Sequence, residues 1–461
     1  MVRQSSFLAA CVAWFAACGT VQAQGPEPAG ERSAAAPNTE QSSADTVRDT
    51  PSSAISGHPA AVNILTGTGR LGELLGLSKD SGLRLGGLWI GDASGTLAGG
   101  LQPGHWGLNS LGVIDFSLDT EKLGVWKGGS LGIDFLQFNG QPTNRYTGGL
   151  QGFDSIQGRP PLDRSELYEL WYRQEFGDKL SIRVGKQVPT YDFNNVCMPV
   201  PVADESARIP SVTGVGFTPI FVNPTILGVM PGYYNSATGI ATTFTPTKQL
   251  YINYGVYDGS LATGDQTGLM GPQFNGHYFN IAETGYAYRI GEQKKPGIVA
   301  VGMWHQTGAL KAVDGSMVQG ATGVYMFGSQ RLWFRHPGID NSGVSGYYQL
   351  GANNSNALIF RQYVGTGLTA FGLVPGRKDD SFGFGLAWAF LNQDPNAGAF
   401  FAPGLPGSKF RSNEMMLQWY YQASLRPGAY FQPAITYIPN PGIRPDTPGA
   451  LAVTFRLTLL F

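Results

Sequence analysis

The chain has 461 residues, with 31 Lys and Arg against 32 Asp and Glu, and a net charge of −1. This balance excludes a nucleic-acid partner that binds through bulk positive charge. Charged residues make up only 14% of the chain and hydrophobic residues 42%. Outside the N-terminus no run of about 20 apolar residues occurs, which argues against a membrane protein built from spanning helices.

The N-terminus predicts export from the cytoplasm. Arg3 supplies a positive start, residues 7–18 an apolar core and residues 21–23 a small-residue exit, which together are typical of a secretory signal peptide over residues 1–23. Residues 24–60 are rich in Ala, Ser, Pro, Thr and Glu without periodicity, and we expect them to form a disordered periplasmic linker.

Residues 61–80 predict a short amphipathic helix at the periplasmic end of the domain that follows. Leu71, Leu74 and Leu75 have helical spacing and are expected to rest against that domain. Residues 67–72 also match the glycine pattern of a dinucleotide site. A nucleotide site is disfavoured, because alternating strands follow instead of a βαβ unit.

From Leu83 onward, polar and apolar residues alternate with a period of two, as in half-buried strands. Residues 114–119 and 131–135 show the alternation clearly. Residues 128–132 match the GxSxG pattern around Ser130. A nucleophilic role for Ser130 is disfavoured, because a hairpin turn runs directly into another strand here, without the following helix that a nucleophile elbow requires.

The segment 162–193 predicts a hairpin with one apolar and one polar face. The apolar set of both strands is Tyr168, Leu170, Tyr172, Phe176, Leu180, Ile182 and Val184. The polar set is Glu169, Trp171, Arg173, Glu175, Ser181, Arg183 and Gln187. A soluble sandwich would show the same alternation, so this hairpin alone leaves both a sandwich and a membrane barrel open.

Residues 191–239 form the longest irregular region, and six prolines interrupt any regular pairing. Such a stretch is uncommon in a compact soluble domain. In an outer-membrane barrel it predicts a long extracellular loop that folds inward and narrows the pore. Cys197 lies in it, as the one cysteine left after signal cleavage, and is expected to be an unpaired structural thiol.

The remaining strands bring the predicted total to about sixteen and end on a C-terminal aromatic residue. Val453, Phe455, Leu457, Leu459 and Phe461 share one parity, a pattern typical of outer-membrane barrels recognised for assembly. Since lipid-exposed backbone must be paired internally, a chain without spanning helices must close its sheet. We therefore predict an all-β transmembrane antiparallel barrel over residues 81–461, with a water-filled lumen lined by the polar parity.

Three blocks of sequence point to a known family. Residues 166–193 (ELYELWYRQEF, LSIRVGKQ and TYDF), residues 372–390 and residues 413–442 resemble the carbohydrate-selective outer-membrane porins (OprB-like). The resemblance implies a sixteen-stranded barrel in the Gram-negative outer membrane, through which sugars diffuse past a narrowing that contains arginine, acidic and aromatic side chains. Gln418, where an acidic residue is expected, and the loop 194–235 depart from the family and leave the sugar preference open.

Sugars present hydroxyls that donate and accept hydrogen bonds, together with a flat CH face, so charged and aromatic side chains suit a sugar-contacting constriction. The candidate substrate-binding residues are Glu169, Trp171, Arg173, Glu175, Arg183, Arg377 and Glu414. As an alternative, Glu169 and Arg173 pair with neighbouring strands and stiffen the wall. For Arg377 the alternative is a clamp with a nearby aspartate that closes a turn.

Other functions remain open. A general or other-solute porin is the nearest alternative, followed by an adhesin or scaffold and by a barrel hydrolase, for which the five histidines show no HExxH spacing. No cofactor or metal pattern is visible, and we expect no enzymatic activity. The expected partners are mono- or oligosaccharides, outer-membrane lipid, the barrel-assembly machinery through Phe461 and two further copies of the chain in a homotrimer.

Overall fold

The structure is a computed structural model. It describes residues 69–461, except 79, 158–162, 195–222, 227–228, 230–235, 260–276, 338, 341 and 400–403. The predicted signal peptide, the linker, the first half of the predicted helix and Cys197 lie outside the described residues.

In the described part of the chain, sixteen antiparallel strands form a closed barrel in which each strand pairs with its chain neighbours and the last pairs with the first. The strands are β1 (Leu83–Ala98), β2 (Trp106–Asp119), β3 (Gly129–Asn139), β4 (Arg164–Phe176), β5 (Leu180–Gln187), β6 (Ala237–Phe244), β7 (Leu250–Asp258), β8 (Tyr278–Ile290), β9 (Lys295–Lys311), β10 (Met317–Phe334), β11 (Gly343–Asn353), β12 (Phe360–Phe371), β13 (Ser381–Leu391), β14 (Asn413–Arg426), β15 (Ala429–Ile438) and β16 (Ala450–Leu460). The predicted barrel and strand number are confirmed.

The helices are short. Among the described residues they are α1 (Arg70–Leu74), α2 (Asn144–Thr147) and three 3₁₀ turns, Pro189–Tyr191, Pro224–Ile226 and Gly407–Lys409. No helix among the described residues is long and apolar enough to cross a membrane. Helix α1 contacts the barrel through Arg70, whose Nη1 donates to the carbonyl of Pro427 at 3.1 Å. Leu74 and Leu75 are exposed, so the expected packing of these two leucines is wrong: the face of this short helix that is buried carries Gly72.

The first and the last strand meet where the barrel closes. The N–H of Phe461 donates to the carbonyl of Gly87 at 2.9 Å, and the N–H of Gly87 donates back to Phe461 at 2.8 Å. A Cβ at Gly87 would lie 2.5 Å from Cε2 of Phe461, so glycine is needed for the terminal ring to pack here. The C-terminal residue thus extends the β1–β16 pairing and completes the closed sheet.

The predicted alternation separates an outer apolar face from an inner polar face. On β2, Ile114 is 48% exposed on the outside and Asp115 only 3% exposed on the inside. On β14, Trp419 points outward, while Gln418 and Glu414 are buried inside. An exposed apolar band of this kind is typical of a surface that contacts another apolar phase.

A β-bulge interrupts the alternation on β4. Glu169 pairs with Asp134 and Leu167 with Phe135, which leaves Tyr168 as an extra residue without a partner in the register. Both Tyr168 and Glu169 are buried inside the barrel. The expectation that Tyr168 shares the outer face with Leu170 is therefore wrong, because the bulge shifts the parity of every residue before it.

The two rims of the barrel differ. The rim where β1 begins and β16 ends has short turns, such as residues 177–179 and 427–428. The opposite rim carries the longer connections, as expected for the extracellular side of such barrels. Three of these connections are named L2 (residues 140–163), L3 (residues 188–236) and L8 (residues 439–449).

A buried ion pair ties β16 to β1 beside the closure. Arg456 Nε donates to Asp92 Oδ1 at 2.8 Å, Arg456 Nη2 donates to the other carboxylate oxygen, and Nη2 also reaches Ser155 Oγ in L2 at 2.8 Å. Both ionic side chains are almost fully buried. This contact links the two end strands through side chains as well as backbone.

We expect Arg456→Gln to destabilise the folded barrel by about 3–5 kcal/mol, because it leaves the buried Asp92 carboxylate without its cation. The double variant Arg456→Gln/Asp92→Asn removes both charges and should recover most of this loss. Thermal unfolding of the purified protein in detergent, monitored through the loss of the β-sheet circular dichroism signal, measures the stability of the single and the double variant. Equal midpoints for the single variant and the wild type would contradict the expectation.

Candidate functional site in the barrel lumen

Loop L3 enters the lumen and contacts walls that are far apart in the ring. Near β5, the carbonyl of Asp192 accepts a hydrogen bond from Asn253 Nδ2 of β7 at 2.9 Å. At its other described segment, Asn223 Nδ2 donates to the carbonyl of Leu350 on β11 at 3.1 Å, and Asn353 Nδ2 donates to the carbonyl of Thr225 at 2.7 Å. The predicted inward fold of this loop is confirmed for its described segments, which contact β7 and β11 of the barrel wall.

An arginine lies where L3 leaves the wall. Arg183 of β5 forms a buried ion pair with Asp192 of L3. The same guanidinium lies over the indole of Trp171 on β4, 5.6 Å from the ring centroid, within the range of a cation–π contact. A Cβ at Gly132 of β3 would lie 2.4 Å from this indole, so the ring packs directly on the wall. Trp171 and Arg183 therefore lie together on the lumen side, as the alternation predicted.

A second arginine is the register partner of the first. Arg173 on β4 pairs with Arg183 on β5. Arg173 Nε donates to Ser181 Oγ at 2.8 Å, and its Nη2 donates to Glu175 Oε1 at 2.7 Å. The Glu175 side chain is 41% exposed, whereas Arg173 is buried. The pair thus places two cations and one accessible carboxylate side by side on the lumen wall.

Glu169 holds the start of L3. Its Oε1 accepts the backbone N–H of Val188 at 2.9 Å. Across the strands it is the register partner of Asp134, which in turn pairs with Asp115. Asp115 forms an ion pair with Arg84 of β1. The result is a row of three carboxylates on neighbouring strands, with a cation at one end, of which the sequence pattern singled out only Glu169 as a site.

A further charged cluster on the lumen wall was missed by the sequence pattern. Arg164 Nε donates to Glu166 Oε1 at 2.8 Å, and Lys186 Nζ lies 3.8 Å from Glu166 Oε2. The uninterrupted alternation would have put Glu166 on the outer face with Leu170. The bulge at Tyr168 turns it inward, and a bulge has no distinct signature in this stretch of sequence.

Glu414 is predicted to bind substrate, but its carboxylate already accepts hydrogen bonds from loop backbone. Its carboxylate accepts the N–H groups of Leu150 at 2.8 Å, of Gln151 at 2.8 Å and of Gly442 at 2.6 Å. The side chain is fully buried. These contacts join L2 to L8, so they are the contacts of a loop anchor and leave little of the carboxylate open to a solute.

Arg377 lies at the rim that carries the short turns, away from the pair formed by Arg173 and Arg183. Its Nε donates to Asp380 Oδ2 at 2.7 Å and its Nη2 to the carbonyl of Ser424 at 3.2 Å. Burial raises the pKa of Asp380, but hydrogen bonds from Tyr421, Arg377 and the N–H of Ser424 outweigh burial and hold this pKa below its ordinary value. These contacts correspond to the clamp alternative for Arg377.

Among the described residues, no three or more His, Cys, Asp or Glu side chains are placed so that they could hold a metal ion. The groups described above offer hydrogen bonding, charge and aromatic stacking. A closed barrel of sixteen strands whose lumen contains an inward loop and paired charges has the architecture of an outer-membrane porin.

Residues 112–461 match the carbohydrate-selective porin, OprB family. The chain belongs to this family, and the family places it in the Gram-negative outer membrane. The resemblance predicted from the three sequence blocks is confirmed.

Individual relatives agree with this assignment. Porin B of Pseudomonas aeruginosa is 22% identical to the chain in an alignment of 416 positions that covers 81% of this chain and 86% of that protein. The high-pH structure of Pseudomonas putida OprB has a TM-score of 0.68 at 18% identity and covers 88% of this chain and 100% of that one. The low-pH structure of the same protein has a TM-score of 0.52 at 15% identity and covers 85% of this chain and 96% of that one. At these identities the two structures show the shared fold.

We expect Glu414→Gln to loosen L2 and L8, because the side-chain amide places a donor against backbone N–H groups that need an acceptor, at a cost of about 1–3 kcal/mol. Limited proteolysis should then cut L2 and L8 faster than in the wild type. Glu175→Gln, which changes a half-exposed lumen carboxylate, is the matched control and should leave proteolysis unchanged. Unchanged loop protection together with loss of sugar-dependent channel block would return Glu414 to the substrate-binding set.

Proposed function

We propose that this protein lets sugars and other small hydrophilic solutes diffuse passively across the outer membrane, with a preference for sugars. The observation that carries the proposal is the position of Arg183, beside Trp171, at the point where L3 enters the lumen. A solute that passes the described edge of L3 meets hydrogen-bond donors, acceptors and an aromatic ring together. This set matches the hydroxyls and the CH face of a pyranose.

Several buried polar atoms near this point support a hydrogen-bonding solute. Among the described residues, the Nε–H of Arg183 and the hydroxyls of Tyr168 and Tyr257 have no hydrogen-bond partner. Leaving such groups unpaired is costly, so they favour polar, hydrogen-bonding surroundings at this point of the lumen. Binding must stay weak, since a solute that is held tightly would not leave the channel.

The predicted site residues divide into two proposed roles. We assign solute contact to Trp171, Arg173, Glu175 and Arg183, and support of the loops and turns to Glu169, Arg377 and Glu414. The division follows from what each group already binds: Glu169 and Glu414 hold backbone N–H groups of loops, and Arg377 closes a turn at the rim. The apolar outer face is proposed to contact lipid, and Phe461 to serve barrel assembly. A homotrimer stays a prediction from sequence.

One observation favours the nearest alternative, a general diffusion porin. Arg183 and Arg173 already have carboxylate partners in the wall or in L3, namely Asp192 and Glu175. Ion pairs that are complete without a solute would stiffen any water-filled lumen, whether or not it prefers sugars. The two functions differ in whether channel current depends on sugar in a saturable way.

Single-channel current in a planar bilayer, titrated with glucose, tests the proposed function. The wild type should show saturable block. We expect Arg183→Met to raise the half-blocking glucose concentration about tenfold, which corresponds to the loss of one charge-assisted hydrogen bond. Arg377→Met removes the same chemical group at the rim and should leave the block unchanged.

Two results would contradict the proposal. A wild-type current that falls linearly and equally with every solute would make the protein a general pore. Equal glucose block in Arg183→Met and the wild type, with both barrels folded, would remove Arg183 from the contact set.

A further inference from the structure

Glu283 is a buried carboxylate that belongs to none of the groups described above. It lies on β8 and points into the barrel from a strand face that also carries Phe279 and Ile281. Within the described residues no ion pair joins it to a cation. A carboxylate in such apolar surroundings is costly unless hydrogen bonds compensate for the lost water.

Three hydrogen bonds provide this compensation, and they come from three different parts of the chain. Tyr251 of β7 donates its hydroxyl to Oε1 at 2.8 Å. Tyr325 of β10 donates its hydroxyl to Oε2 at 2.8 Å. The third donor is the backbone N–H of Asn194 in L3, which reaches Oε2 at 2.6 Å. The carboxylate thus joins two wall strands to the loop that narrows the lumen.

The backbone of L3 is shaped to meet Glu283. Asn194 has a φ of 54°, a left-handed conformation that asparagine adopts more readily than most residues. Just before it, Phe193 is buried and packs edge-on against Tyr257, with ring centroids 6.5 Å apart. The buried ring and the turned backbone together aim the Asn194 N–H at the wall.

A second contact with L3 lies two residues further along β7. Asn253, two residues after Tyr251 and on the same face, donates to the carbonyl of Asp192 at 2.9 Å. The root of L3 is therefore held at two points, its Asp192 carbonyl and its Asn194 N–H. Of these two, the bond to Glu283 is charge-assisted and is the stronger type.

The loop position and the carboxylate are coupled. If the root of L3 moves away from the wall, Glu283 loses a donor to an anion that is shielded from water, which is unfavourable. Conversely, a neutral side chain at position 283 would hold the loop less firmly. Glu283 is therefore a positioning residue: it acts on the solute path through L3 without contacting the solute.

We propose that Glu283, together with Tyr251 and Tyr325, is a latch that fixes the root of L3, residues 192–194, against the wall formed by β7 to β10 and thereby sets the size limit for entering sugars. The size limit for sugars rests on the proposed function, whereas the effect on pore width does not. Substitutions that weaken the latch should widen the pore for any ion. A size limit set by the latch should relax first for disaccharides, which need a larger cross-section than glucose.

The experiment compares Glu283→Gln, Tyr325→Phe and Tyr420→Phe with the wild type. Glu283→Gln keeps the shape but turns an acceptor into a donor against the Asn194 N–H. Tyr325→Phe removes one hydroxyl from the latch and is the variant to use if Glu283→Gln does not fold. Tyr420→Phe is the control, because its hydroxyl bonds to Thr369 on the wall at 2.9 Å.

Single-channel recording in potassium chloride without sugar measures pore width directly. We expect Glu283→Gln to raise the occupancy of a wider conductance level about tenfold, the shift expected for loss of one such hydrogen bond. Tyr325→Phe should shift it in the same direction by less, and Tyr420→Phe not at all. Liposome swelling should show a higher rate for disaccharide relative to glucose in the two latch variants.

The outcomes separate the latch from the proposed function. If the latch variants show a wider conductance level but the wild type shows no sugar block, the latch is supported and the sugar preference is rejected. Folded Glu283→Gln and Tyr325→Phe channels with wild-type conductance levels and wild-type disaccharide exclusion would overturn the latch, whatever the sugar block shows.

Discussion

Backbone hydrogen bonding in a medium without water is the constraint on which this structure depends. Each strand that crosses lipid needs partners on both edges, and only closure of the sheet supplies them for the first and the last strand. The paired backbones of Gly87 and Phe461 and the ion pair between Asp92 and Arg456 lie at that closure. Closure with sixteen strands leaves a lumen too wide for wall side chains alone to fill, and so it creates the space that the loops enter.

The lumen is organised by carboxylates that hold loop backbone. Glu169 accepts the N–H of Val188, Glu283 that of Asn194, and Glu414 the N–H groups at the junction of L2 and L8. Each anion lies on a rigid strand, and each donor lies on a loop. A loop inside a barrel has backbone groups that neither sheet nor bulk water satisfies, and a wall carboxylate satisfies them strongly. The arginines near L3 instead pair with carboxylates, Arg183 with Asp192 and Arg173 with Glu175.

The fold was largely predictable from the sequence because its signal is local. A period of two, turn residues and an apolar C-terminal parity depend on neighbours along the chain, and the structure places Ile114, Asp115 and Trp419 on the expected faces. The lumen position of Trp171 and Arg183 follows from the same rule.

The parts that the sequence pattern missed depend on distant contacts. The bulge at Tyr168 moves Glu166 inward and is defined by the register with β3, which the pattern of β4 alone does not reveal. Glu283 gains its role from an L3 backbone group that lies 89 positions earlier in the chain. Glu414 was found as an inward residue, but its partners in L2 are 263 or more positions away. The parity of a residue predicts which way its side chain points, but it does not predict which group of a distant loop the side chain will bind.

The central claim is that the polar parity surrounds water and the apolar parity touches lipid. Cysteine labelling of the protein in lipid vesicles, in a Cys197→Ser background, tests it most directly at two positions on β4. Glu175→Cys should react rapidly with a charged, water-soluble methanethiosulfonate reagent and change the channel current, whereas Leu170→Cys should be protected. Rapid labelling at position 170 with protection at position 175 would contradict the assignment of the two faces, and with it the channel.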